Sequence, residues 1–373
     1  MTKAAELAKM GEVLTNSQIG GRRNIVINGG MQCSQRSTSA TGVGASNGVF
    51  PCVDRMKIMA GTTAGRLTMS QVADVHDGFA NALKFDCTTA DTSIAADEFF
   101  ILRTLFEGQD LQQIKKGTSD AEKLTLSFYV KGNASATYTC ELEDRDNSRY
   151  NSQEFSVTTS WTRVVKTFLA DTTGSFGDDN AESLAINFWL HSGSTYTGGT
   201  HTDNVWHTTN NQRVGDNQTS IFDSTDREFF ITGLQLEVGS QATPFEHRSF
   251  GEELALCQRY YYRTPRYINS GIGANESIAT GNMDGSTVGA FLIRFPQLMR
   301  DAPTAFEQSG TASHYSVRVT SDANGTSVPT SGDFMSDSAF VNLTASGAGF
   351  TSGDGAFLRV ENTSAFLAWS AEL

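Results

Sequence analysis

Residues 231–262 read ITGLQLEVGSQATPFEHRSFGEELALCQRYYY. Leu234, Leu236 and Val238 alternate with Gln235 and Glu237, the period of two that marks a half-buried strand, and Gly239 closes it. After Pro244 the pattern changes. Ser249 followed by Glu252 forms a capping box, Glu252 and Glu253 fall in the first turn, Arg259 and Arg263 come late, and Pro265 stops the run. This predicts a short helix over 249–263. Its apolar residues, Leu254, Ala255, Leu256, Cys257, Tyr260, Tyr261 and Tyr262, occupy nearly every face, so the helix is expected to be buried. The stretch reads as a hinge between two β domains.

Outward from this hinge, short apolar runs separated by turn residues describe an all-β chain. Leu124, Leu126, Phe128 and Val130 alternate with Thr125, Ser127, Tyr129 and Lys131. Residues 67–72, 82–87, 99–106, 138–142, 161–169 and 184–190 continue the series at the spacing of a sandwich, for which a two-sheet jelly roll is the natural closure. Beyond the helix, strands are expected at 288–295, 315–320, 340–343, 356–360 and 365–373, with variable loops at 269–286 and 321–333. At the N-terminus, Leu7, Met10 and Leu14 recur at helical spacing before Gly20 and Gly21, in a segment too short to be stable alone. The predicted organisation is therefore a terminal helix and linker at 1–21, a jelly-roll domain at 22–248, a linking helix at 249–263 and a smaller β domain at 264–373.

With 28 basic and 41 acidic residues the net charge is −13, which disfavours a phosphate-backbone partner such as nucleic acid. MTKAAELAKMG lacks the apolar core of a signal peptide and no run is long enough to span a bilayer, so synthesis in a cytosol without membrane insertion is expected. The five cysteines include no CxxC pair and read as buried thiols.

Several runs resemble the phage tail-fibre and receptor-binding virion protein family, whose jelly roll is like that of carbohydrate-binding modules. They are the hinge itself, RRNIVINGGMQCSQRSTS from Arg22, PCVDRMKIM from Pro51, and FEGQDLQQIKKGTSDAEKLTLSFYVKG from Phe106. Met56 departs from the aromatic residue that the family commonly carries after Asp-Arg. The resemblance implies a virion protein assembled in the host cytoplasm. It implies attachment to other tail or capsid proteins through the N-terminal segment, a homotrimer, and a host surface glycan as partner.

No catalytic motif is legible. The six histidines sit in no GxSxG, Cys/His or HExxH context. Asp144, Asp146 and Ser148 mimic the start of a calcium loop, but Arg149 stands where the loop needs glycine and Phe155 where it needs glutamate. That stretch reads instead as a polar hairpin turn. Neither a metal site, nor a cofactor, nor an enzyme is expected. The polar segment 191–220 does carry the residue types that bind a sugar, a ring for the apolar face of a pyranose and side chains for its hydroxyls: Tyr196, Asp203, Asn204, Trp206 and His207. Against this stands the simpler reading that Trp206 packs into the sandwich. The expected function is non-catalytic attachment of a particle to host glycans. The alternatives are a purely structural virion component and a glycan-cleaving tail enzyme.

Overall fold

The computed structural model describes Lys3 and residues 22–264, 276–346 and 349–373. The helix and linker expected over 1–21 lie, Lys3 apart, outside the described residues. The chain divides into two compact units, Met1–Phe250 and Gly251–Leu373.

The first unit is a jelly-roll sandwich of two antiparallel sheets. One has the order β1 (Ser39–Val43), β3 (Arg66–Val72), β4 (Ala82–Thr89), β11 (Glu228–Val238), β6 (Leu124–Gly132), β9 (Thr162–Phe168). The other has the order β2 (Lys57–Gly61), β5 (Phe99–Glu107), β10 (Glu182–Ser192), β7 (Ala136–Asp144), β8 (Arg149–Val157). Alternation does the sorting. Leu126, Phe128 and Val130 of β6 face Tyr138, Cys140 and Leu142 of β7 and Ile186, Phe188 and Leu190 of β10 in one core. The Phe128 ring meets Phe188 and Phe155 edge-on at 4.9 and 5.1 Å. Each such side chain contributes about 1.5–3 kcal/mol through burial. In β11 the ladder slips between Thr232 and Gln235, and Gly233 holds φ at 63°. A Cβ there would come within 2.6 Å of Phe79 and 2.8 Å of Tyr129, so the bulge requires glycine.

The runs around Arg22, Pro51 and His247 form a clasp of hydrogen-bonded polar side chains. Residues 22–27 are not a ladder strand, although the Ile25 amide donates to the Leu236 carbonyl at 3.0 Å. Asn24 Oδ1 accepts from the Val26 and Leu236 amides, and its Nδ2 donates to the Leu234 carbonyl. Asn28, left-handed at φ 62°, donates to the carbonyls of Cys33 and Asp54. Asp54 accepts from both the backbone and side chain of Gln35. Arg248 reaches the Val26 carbonyl, and Glu246 accepts the Asn24 amide at 2.8 Å. Buried polar groups of this kind are costly unless satisfied, so these residue types mark where the first and last segments of the sandwich are pinned.

In the first unit β1 and β2 lie outside the strands expected from the sequence, and β8 occupies part of the stretch read as a polar turn. All five cysteines are free and buried. Burial pushes the Cys52 and Cys140 thiols up to about 12. No helix among the described residues is long and apolar enough to cross a membrane.

In the second unit the helix runs Phe250–Gln258, five residues shorter at its end than expected. Tyr261–Thr264 instead forms β12, paired with β21 (Leu367–Ser370), which pairs in turn with β15 (Ala305–Gln308). The apolar surface of the helix is unevenly used: Leu254 and Cys257 are buried, Leu256 is half-buried and Phe250 is exposed. A seven-stranded antiparallel sheet completes the unit, in the order β17 (Asp322–Asn324), β16 (Tyr315–Arg318), β20 (Gly355–Val360), β13 (Glu276–Met283), β14 (Val288–Arg294), β19 (Ser338–Thr344), β18 (Thr330–Gly332). β13, β17 and β18 fall within the stretches expected to be loops. Trp369, fully buried, gathers Phe295 and Phe306 at 5.4 Å and Tyr262 at 6.1 Å.

Candidate functional site

The outward positions of the five-stranded sheet carry a cluster of buried charged and aromatic side chains. Pairing places Asn187 of β10 opposite Arg103 of β5 on one side and Glu141 of β7 on the other. Glu143 and Trp189 lie two residues along on the same face. Charged side chains on an outward sheet face are normally in water. Here Glu141, Asn187 and Trp189 are at most 1% exposed, and Arg103 and Glu143 at most 6%.

The cover is the segment between β10 and β11, which sends Arg213 onto this face. Arg213 Nε and Nη2 donate to the two oxygens of Glu141 at 2.8 and 2.7 Å, and Nη2 also reaches Glu143 at 3.1 Å. Arg103 donates to Asn187 Oδ1 at 2.7 Å and to Glu143 at 2.6 Å. Asn187 Nδ2 bridges both glutamates at 2.7 Å, Trp189 Nε1 donates to Glu141 at 3.0 Å, and Arg145 holds the second oxygen of Glu143 at 2.6 Å. Burial alone would raise the Glu143 carboxyl, but the guanidiniums of Arg103, Arg213 and Arg145 outweigh it and hold it at about 2. Burial likewise opposes the charge on Arg213, and Glu141 and Glu143 overcome it and raise its pKa.

Above this ion network runs a line of rings. The Arg213 guanidinium lies 3.9 Å from the centre of Tyr150 and 4.9 Å from that of Trp189. Tyr196 packs on Trp189 at 4.9 Å and on Phe99 at 5.6 Å. His207 lies 5.9 Å from Tyr150. Residues 204–207 run along the outer edge of β8: the Asn204 amide donates to the Ser152 carbonyl, and His207 and Tyr150 exchange backbone hydrogen bonds at 2.8 and 2.9 Å. An edge that would otherwise be open is thereby covered.

The five residues singled out in the sequence fall into different roles and places. Asn204, left-handed at φ 62°, is a clip: its Oδ1 accepts from the Leu169 amide at 2.9 Å and its Nδ2 donates to the Thr167 carbonyl at 3.0 Å. Trp206 donates to the Leu169 carbonyl at 2.6 Å and packs, half-buried, against the core beside Phe168 and Phe176. Tyr196 is half-buried on the Trp189 side, and burial raises its phenol pKa. The His207 imidazole pKa is lowered, chiefly by burial, and its Nε2 is buried without a hydrogen-bond partner. Asp203 is exposed, with Oδ1 accepting the Glu154 amide at 3.1 Å and lying 3.7 Å from His201. The structure therefore brings together Tyr196 and His207 through Trp189, Arg213 and Tyr150, and sets Trp206 apart.

Sequence reading missed Tyr150, Trp189, Arg213 and the glutamate pair. The available signal was the alternation Thr139, Glu141, Glu143 beside Asn187 and Trp189. Local pattern reads that alternation as a wetted face.

The calcium-like stretch resolves into an ammonium site. Lys116 Nζ lies 2.6 Å from Asp144, 3.2 Å from Asp171, and 2.7 and 2.9 Å from the carbonyls of Thr173 and Gly174. Phe176 and Trp206 lie over it at 5.3 and 5.7 Å.

No family model matches the chain, and no curated protein does. Among solved structures the chain is similar to one described as "CBM4 structure and function" (12% identity, 57% of this chain and 97% of that one, TM-score 0.29). It is similar to TmCBM61 in complex with β-1,4-galactotriose (12%, 58% and 99%, TM-score 0.29). It is also similar to the enzymatically active domain of tailspike protein 4 of bacteriophage CBA120 (11%, 58% and 21%, TM-score 0.29). At that level of superposition the fold assignment rests on the strand order itself.

Proposed function

We propose that the chain is a phage virion fibre protein that attaches the particle to host surface glycans by non-catalytic binding. The ligand would meet the half-buried rings Tyr150, Tyr196 and His207, with Asp203 and Glu154 at the rim. The observation that carries this reading is the line of rings held rigid on the outer sheet face by Arg213. Ring faces offer a sugar its apolar contact, and the neighbouring carboxylates and imidazoles offer partners for its hydroxyls. Binding is preferred over cleavage because the glutamate pair beneath the rings is buried and engaged by Arg213, Arg103 and Arg145, so neither carboxylate is offered to a sugar bond. Attachment to other virion proteins through residues 1–21 and a homotrimeric state belong to the same proposal; the mass in solution decides the latter.

On an array of bacterial surface glycans, the wild-type chain is expected to bind selectively. Tyr150→Ala and Tyr196→Ala should each weaken that binding by roughly 10-fold, the loss of about 1.4 kcal/mol expected of a ring contact. Trp206→Ala should lower stability instead and leave the affinity of the folded fraction unchanged. Affinity lost only with Trp206 would place the ligand elsewhere.

A second reading, a purely structural virion component, is favoured by one observation: the side chains of Asn204 and Trp206 are engaged within the fold. Absence of glycan binding by a folded wild-type chain would select it.

A further inference from the structure

At the base of the covering segment, three side chains distant in sequence converge. Asp91 follows β4, Glu98 precedes β5, and His191 lies at the end of β10. One ligand atom from each lies within 4.8 Å of the other two. All three are buried: Asp91 and Glu98 are 6% exposed and His191 is fully enclosed.

The hydrogen bonds around them orient the donors. His191 Nδ1 lies 2.8 Å from Ser220 Oγ, which accepts the Phe222 amide at 3.0 Å. With the Nδ1 proton donated to Ser220, the Nε2 lone pair points at Glu98 Oε2, 3.3 Å away. Asp91 is held by the Thr63 hydroxyl at 2.8 Å and the Ala64 amide at 2.7 Å. The other oxygen of Glu98 takes no hydrogen bond from any described residue. No lysine or arginine among the described residues forms an ion pair with either carboxylate. Glu143 and Asp144 of this unit, by contrast, are matched by cations, the first by three arginines and the second by Lys116. Two buried carboxylates thus face one imidazole with no lysine or arginine paired to either.

We propose that Asp91, Glu98 and His191 bind a divalent first-row transition ion, of which Zn²⁺ is the working example. One imidazole nitrogen and two carboxylate oxygens are the donors such an ion prefers, whereas an all-oxygen set would suit calcium or magnesium. Ligand atoms around tetrahedral zinc stand about 3.4 Å apart, a spacing His191 and Glu98 already have, so the remaining gaps need to close by at most about 1.4 Å. The position gives the ion a structural role. His191 opens the covering segment and Ser220 ends it, and the Ile221 amide donates to the Leu190 carbonyl at 2.7 Å between them. An ion there clamps both ends of the segment that carries Arg213 and Tyr196. This assignment stands on residues separate from the glycan-facing rings, so either reading can fail without the other.

The test uses the untagged full chain, stripped with chelator and titrated with Zn²⁺, with bound metal counted by mass spectrometry and thermal melting followed in parallel. One tightly held equivalent is expected, with the melting temperature rising by about 5 °C at saturating metal. Glu98→Gln and His191→Gln should lose both responses, and Ca²⁺ should produce neither. Zinc retained equally by Glu98→Gln and His191→Gln would be adventitious binding at other histidines and would overturn the assignment. So would an equal response to Ca²⁺. Should the variants fail to fold, the wild-type titration decides alone: no tightly held equivalent and an unchanged melting temperature also overturn it.

Discussion

Replacing Arg213 with methionine is expected to destabilise the jelly-roll unit by about 3–5 kcal/mol, the cost of leaving a buried charge without its partner. The side chain neutralises Glu141 and shares Glu143 with the buried Arg103 and with Arg145, exposed just past the end of β7. Methionine keeps most of the volume, so the loss measures charge and hydrogen bonding rather than a cavity. A denaturant midpoint within experimental error of the wild type would show that the network contributes nothing net. The same network gives an acid dependence whose sign follows from Glu143. Its folded pKa, about 2, lies below the ordinary carboxyl value of 4.5, so its contribution is complete above pH 4.5 and is lost as pH falls from there towards 2. Glu143→Gln should flatten that part of the stability profile, on the order of 3 kcal/mol of pH-dependent stability in the wild type.

Lys116→Met is the second large effect, at about 3 kcal/mol. The ammonium sits among two carboxylates and two carbonyls, and its side chain is 3% exposed. Asp171 would retain Arg149 at 2.7 Å, whereas Asp144 would keep only hydrogen bonds from Asn147 and the backbone amides of Asp146 and Asn147. Lys116→Arg should also destabilise, because the cage fits a compact point charge and not a planar fork. Urea unfolding checks both variants. Full stability in Lys116→Met would mean that the two aspartates need no cation.

Those two sites explain how much could be read without coordinates. Strands such as β6 and β10 were legible because their inward residues are apolar at every second position. β8 was not, because its inward Asn151 and Gln153 are polar, their side-chain amides donating to Asn204 Oδ1 and to the Thr167 carbonyl. No local pattern distinguishes such a strand from a turn. The hinge helix was legible from its cap and charges, but its end was misplaced since Tyr260 to Tyr262 suit helix and strand alike. In the second unit, Glu276–Met283 and the short strands after Asp322 are rich in Ser, Thr, Gly and Asn, so they read as loops. For the candidate site, the sequence pointed to the covering segment and to Tyr196 and His207. Arg213 carries no local mark: its partners lie 72 and 70 residues earlier, and only the antiparallel stacking of β5, β10 and β7 makes one site of them. Glu141 and Glu143 read as a solvent face for the same reason.

The most direct test of glycan binding without catalysis is to incubate the purified chain with intact host polysaccharide and follow retention and reducing ends on the same samples. The account predicts saturable retention, reduced in Tyr150→Ala and Tyr196→Ala, with reducing ends no higher than in the protein-free control. Reducing ends that accumulate with time, or a folded wild-type chain that is not retained on any host polysaccharide, would contradict it.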